Sequence, residues 1–262
     1  MQTTHFRNQL YLRRTKVGFL ILAFFGVSFS GVSQGLFGLT STAGSDNKTI
    51  SYGFFLAGHT STYQIKYSEQ FFDPANAANN QVYSIYPKYT PGFSLGFIGI
   101  LRLHDQVNLL LTPKIAFYEY RADINYYDTY DVALPEGPPP LGYRTEEVVN
   151  EATIVEIPLL FKYRSQRFNN TRMYFIGGAS YQFRTKSQDE ANLDPIVTTG
   201  QDFAIEAGMG FEIYFKYFKF APEIRFSHGL NNIYYAEKTP AEIRDVISSI
   251  KRKGITIYLN FQ

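Results

Sequence analysis

The chain of 262 residues has no cysteine, no tryptophan and only three methionines. Without cysteine there is no disulfide framework, no thiolate nucleophile and no cysteine-ligated zinc. Charge of one sign is missing too. The 25 Lys+Arg and 23 Asp+Glu leave a formal +2, without the basic excess of a nucleic-acid footprint. Long hydrophobic runs are nearly absent: the uncharged apolar stretch Val17–Phe29 has 13 residues, short of the roughly 20 that a spanning helix needs. Past residue 34 only His59, His104 and His228 remain, scattered without metal-ligand spacing. Gly177-Gly178 has no phosphate-loop context around it. These absences argue against a helical membrane bundle and a zinc or nucleotide enzyme. They leave a β-barrel open, because its strands alternate apolar and polar residues and average to nothing unusual.

What is present begins with an export signal at residues 1–34. Arg7, Arg13, Arg14 and Lys16 form a basic region ahead of the apolar run, and Ser30 or Ser33 marks the cleavage region. Removing those four cations takes the net charge to 2 − 4 = −2. Residues 35–48 read as a short lead, and 49–262 as the folded domain.

Aromatic residues make up 17% of the chain, with 21 Tyr and 24 Phe. They fall on period-2 patterns that define eight candidate strands. Ile50, Tyr52, Phe54 and Leu56 open the first, and Ile255, Ile257, Leu259 and Phe261 close the last. Short turns are expected at His104–Gln106, Arg167–Asn170 and Lys216–Tyr217. Long links are expected at about Ser68–Lys88, Arg121–Val148, Lys186–Gly200 and Asn231–Ser249. An even strand count with short turns on one side and long loops on the other predicts an eight-stranded antiparallel outer-membrane β-barrel with periplasmic termini. In the last loop, Thr239-Pro240-Ala241-Glu242 predicts a capped helical turn. Tyr63/Tyr67, Tyr118/Tyr120, Tyr126/Tyr127 and Tyr214/Tyr217 fit interfacial girdles in place of tryptophan.

The apolar faces are nearly uniform Phe, Ile, Leu and Met, while the opposite faces mix isolated charges with Gly, Ser and Tyr. This places Arg102, Lys114, Lys162, Arg184 and Arg225, with Glu156, Glu206, Glu212 and Glu223, in a lumen where charges must pair. Eight strands enclose an interior that side chains can fill, which predicts a plugged barrel. If Phe215 and Phe218 flank a two-residue turn, Arg225 faces Gly208 and Glu223 faces Gly210. Paired carboxylates could also serve acid–base catalysis, but an interior salt-bridge network accounts for them without it.

Three stretches carry a family resemblance. They are Pro91–Leu103 with Asn108-Leu109 and Thr112-Pro113; Glu156–Tyr163 with Arg167, Asn169-Asn170 and Tyr174–Gly178; and Glu206–Gly210 with Phe218-Lys219, Pro222-Glu223 and Phe226–Asn232. In order and spacing they resemble the PorT family, outer-membrane barrels of Bacteroidetes associated with type IX secretion. The resemblance implies an accessory role in protein export, with outer-membrane lipid and other secretion-machinery proteins as partners. It implies no catalytic residues, cofactor, metal, small-molecule substrate or nucleic acid. The alternatives are an enzyme acting on lipid or peptide at the rim, or a structural or adhesive barrel.

Overall fold

A computed structural model describes residues 48–73, 82–127, 143–185 and 196–262. All of them belong to one of two compact units, Ser41–Gln262. The expected export segment with Ser30 and Ser33 lies outside the described residues.

Ten strands form one antiparallel sheet: β1 (Ile50–Tyr67), β2 (Val82–Lys88), β3 (Thr90–Arg102), β4 (Val107–Leu111), β5 (Lys114–Tyr127), β6 (Tyr143–Arg164), β7 (Thr171–Arg184), β8 (Gln201–Tyr214), β9 (Lys219–Gly229) and β10 (Ile247–Phe261). β1 pairs with β10 on one side and β3 on the other, so the sheet closes into a barrel. The ten strands make eight passes. β4 and β5 are one pass interrupted at Pro113, which has no N–H to give the ladder. Their common partner β6 keeps one register across the gap, Leu111 opposite Leu159 and Lys114 opposite Glu156. β2 and β3 are one pass broken at Tyr89. Phe93 pairs with Phe117, but Lys88 pairs with Arg121, one residue out of step. Such a slip swaps the two faces. Phe93, Leu95 and Phe97 point outward below it, and Ile85 points inward above it.

The turns between residues 102 and 107, 164 and 171, and 214 and 219 are short. Asn169 adopts a left-handed φ of 52°, a conformation asparagine tolerates. The long links are shorter than the sequence implies, because β2, β5 and β6 continue into them. Residues 82–88, 121–127 and 143–148 are strand rather than loop. A helical turn, α1 (Ala241–Arg244), does form, but its N-cap is Pro240 and no side chain caps it. The Thr239 hydroxyl instead donates to the Tyr235 carbonyl at 3.0 Å and accepts from the Val197 amide at 3.4 Å.

Above the loop end of the lumen sits an apolar core. Ile85, Ile124, Val148 and Ile154 from the tall strands meet Ile196, Ile233, Ile243 and Ile250 from the loops and β10.

Candidate functional site: an ionic lumen

Alternation places Lys114 on β5, Glu156 and Lys162 on β6, Glu206 and Glu212 on β8, and Glu223 and Arg225 on β9 inside the wall, all buried. The β8–β9 hairpin has the register expected of its turn, Gly208 opposite Arg225 and Gly210 opposite Glu223. Gly208 allows a close approach: a Cβ there would stand 2.3 Å from the Ile224 carbonyl oxygen.

Three linked clusters fill the lumen. In the middle, Arg225 reaches Glu206 at 2.9 Å and binds Glu223 through Nε at 2.8 Å and Nη2 at 2.5 Å. The Tyr174 hydroxyl donates to the other oxygen of Glu223 at 2.8 Å. Nearer the loops, Lys114 pairs with Glu156 at 2.9 Å and donates to the Tyr258 hydroxyl at 2.7 Å. Tyr118 donates to the same carboxylate, and Arg225 lies 4.1 Å from the Tyr258 ring centre, which joins the two clusters. Toward the short turns, Glu212 is fully buried at 0% exposure. It is held by Lys162 at 2.5 Å, Lys219 at 3.2 Å and the Tyr214 hydroxyl at 2.8 Å, with Arg164 at 3.8 Å. Lys162 lies 3.7 Å from the Tyr174 ring centre. Each carboxylate is thus matched to a cation, the condition under which buried charge is tolerated.

Two of the expected cations stand elsewhere. Arg102 has inward parity but ends at a turn, and its guanidinium pairs with Asp105 beside water. Arg184 lies at the loop end, donating to the Thr198 hydroxyl at 3.4 Å. Arg164 and Lys219 take their places near Glu212. Both continue the alternation through Lys162 and Glu223 to the strand ends, a signal present in the sequence.

The tyrosine girdles need a larger correction. Tyr63, Tyr120, Tyr126 and Tyr214 are buried, and Tyr67 turns its hydroxyl to the Ile85 backbone. Tyr63 stacks on Tyr120 at 4.3 Å, Tyr120 on Tyr118 at 5.5 Å, and the buried His59 packs on Tyr118 at 4.3 Å. Only Tyr127 and Tyr217 of those clusters are exposed. The outward aromatic contacts are made mostly by phenylalanine, Phe54–Phe261, Phe220–Phe261 and Phe215–Phe218 near the short turns and Phe93–Phe117 higher up, with Tyr181 packed on Phe203 and Tyr83 on Tyr127.

Outside the wall, Ile115 and Phe117 on β5 give way to Glu119, Arg121 and Asp123. At that level Lys88 meets Asp123 at 2.8 Å and Glu147 at 3.3 Å, and Arg121 pairs with Glu119. The hydrogen bond that Lys88 donates to Asp123, together with Glu147, raises Lys88 above the usual lysine range. An apolar belt that gives way on this side to a cluster of ion pairs is the outline of a bilayer-spanning wall.

The model of the outer membrane protein beta-barrel domain family matches residues 19–235. The chain belongs to that family. The barrel therefore resides in the cell outer membrane. No curated protein matches the chain. Similar solved structures include the outer membrane protein OprG of Pseudomonas aeruginosa, at 10% identity and a TM-score of 0.40, covering 80% of this chain and 94% of that one. Neisserial surface protein A is 8% identical, also with a TM-score of 0.40, over 81% and 98%. The outer membrane protease OmpT of Escherichia coli is 10% identical, with a TM-score of 0.40, over 88% and 99%. At these identities and scores the likeness concerns architecture alone.

Proposed function

We propose that this barrel is a non-catalytic accessory of protein export across the outer membrane, of the type IX kind that the PorT resemblance implies. The observation that supports a non-conducting, non-catalytic role is the double filling of its interior. An ionic network occupies the midsection, and an apolar core sits over the loop end. The carboxylates that could act as acid and base are held by Lys114, Lys162 and Arg225, away from any substrate. A barrel filled in this way works through its surfaces, and its partners are membrane lipid and other proteins of the secretion machinery. Deleting the gene and measuring type IX cargo tests this reading. Cargo should accumulate inside the outer membrane, and unimpaired export would leave an enzyme at the rim or a structural or adhesive barrel.

A further inference from the structure

Two halves of the outer rim carry cations in different company. On the β2–β5–β6 side, Lys88 and Arg121 are neutralised by Asp123, Glu147 and Glu119. On the β1–β10 side, Lys66, Lys251 and Lys253 have no ion-pair partner among the described residues. Register brings these three together. Lys253 is opposite Thr62, Lys251 opposite Gln64 and Lys66 opposite Ser249. Lys66 and Lys251 are therefore diagonal neighbours, about 7–8 Å apart at their Cα atoms. All three alternate with the buried Ile250 and Arg252, or follow the buried Tyr63, and so lie on the outer wall. Lys253 is the next outward residue above Ile255, the last apolar outward residue of β10, and Lys251 and then Lys66 follow higher up the wall, where lipid headgroups meet it.

Directly below them the wall is notched. A groove of about 640 Å³ runs between Leu56, Phe93, Ile255 and Ile257. Its floor is Gly58, which the ladder sets between Phe93 and Ile257, with no atom within 4 Å of where a side chain would begin. The groove lies in the apolar belt and opens toward lipid, so the occupant at hand is an acyl chain. The cations over it, without an ion pair among the described residues, select an anionic headgroup.

We propose that the β1–β10 wall holds one phosphorylated, multiply acylated lipid of the outer leaflet, its phosphate on Lys66, Lys251 and Lys253 and an acyl chain in the groove at Gly58. Native mass spectrometry of the purified barrel in mild detergent, titrated with diphosphorylated lipid A, tests it. The native protein should retain the lipid, and its dephosphorylated form at least ten-fold less. A combined Lys66→Gln, Lys251→Gln, Lys253→Gln variant should lose at least ten-fold of the retention. Gly58→Leu, whose Cβ meets no atom within 4 Å and whose side chain projects into the groove, should lose several-fold. Lys88→Gln should lose nothing. Heat-modifiable gel mobility establishes that each variant is folded, and the comparison of the two lipid forms on native protein decides the matter if a variant is not. Equal retention by the triple variant, or of the dephosphorylated lipid, would overturn the site. Binding of inorganic phosphate with no effect of Gly58→Leu would reduce it to an anion site and overturn the acyl groove.

Discussion

Low on β5 and β6, the wall turns Lys114, Glu156 and Lys162 inward and Ile115, Ile157 and Phe161 outward. A few residues higher on the same strands it turns Ile124, Val148 and Ile154 inward and Asp123, Glu147 and Glu151 outward. The alternation never stops, but its polarity inverts. Where the surroundings are lipid, apolar side chains gain by facing out, and the enclosed side must satisfy the charges. Where the surroundings are water, ordinary hydrophobic burial resumes. The crossing lies at Tyr118–Tyr120, whose rings bridge the ionic midsection and the apolar core. The height of the membrane's outer surface can therefore be read from the inside of the barrel.

The sharpest way to break this comparison is to remove the central cation. Arg225→Ala leaves Glu206 and Glu223 buried without their partner, and breaking such a pair costs about 3–5 kcal/mol. Urea unfolding in lipid vesicles should show that loss, while the lipid-facing Phe226→Leu should cost much less. An Arg225→Ala barrel as stable as the parent would mean that the midsection is not held by its charges. In the apolar core, Ile154→Ala should cost about 2–4 kcal/mol through the cavity it leaves. If the core folds as one unit with the barrel, the urea midpoint moves by that amount. If it opens separately, protease cutting within 230–246 rises first and the midpoint stays. Gly208→Ala comes next, at about 1–3 kcal/mol, because the new methyl meets the Ile224 carbonyl and the Arg225 backbone. The smallest effect belongs to the exposed rim. The raised pKa of Lys88 means its contribution is full below the unfolded lysine value and is lost as pH rises through the higher folded value. Unfolding of Lys88→Gln should match the parent within error above that pH and in high salt, whereas the lumen pairs should be indifferent to salt.

Much of this was legible in the residues. The alternation in β8 and β9 and the two-residue turn at Lys216-Tyr217 were enough to place Arg225 against Gly208. Carrying the alternation two residues past Lys162 and four back from Glu223 finds Arg164 and Lys219 as well. The phase change at Tyr89 was not legible, since a bulge leaves no mark in composition and reverses the faces until the next shift, at Val82–Ser84. Nor was the placement of the tyrosines. Their amphipathic rings suit an interface, a lumen and a buried stack equally, and only the inversion of polarity along β5 decides for the interior. The long links were overestimated for the same reason, because charged outward positions such as Asp123 and Glu147 read as loop when they belong to strands standing in water.

The height of β6 has one more consequence, for how many barrels can share a membrane. Above Ile154 it pairs with β5 on one side, and among the described residues no strand takes the other. A bare strand edge offers its amides and carbonyls to any neighbour, and identical barrels crowded in one plane would zip together along it. Glu146, Glu147 and Glu151 line that stretch. Glu147 is already met by Lys88 and Arg121, but two such edges brought side by side would set Glu146 and Glu151 against their like charges.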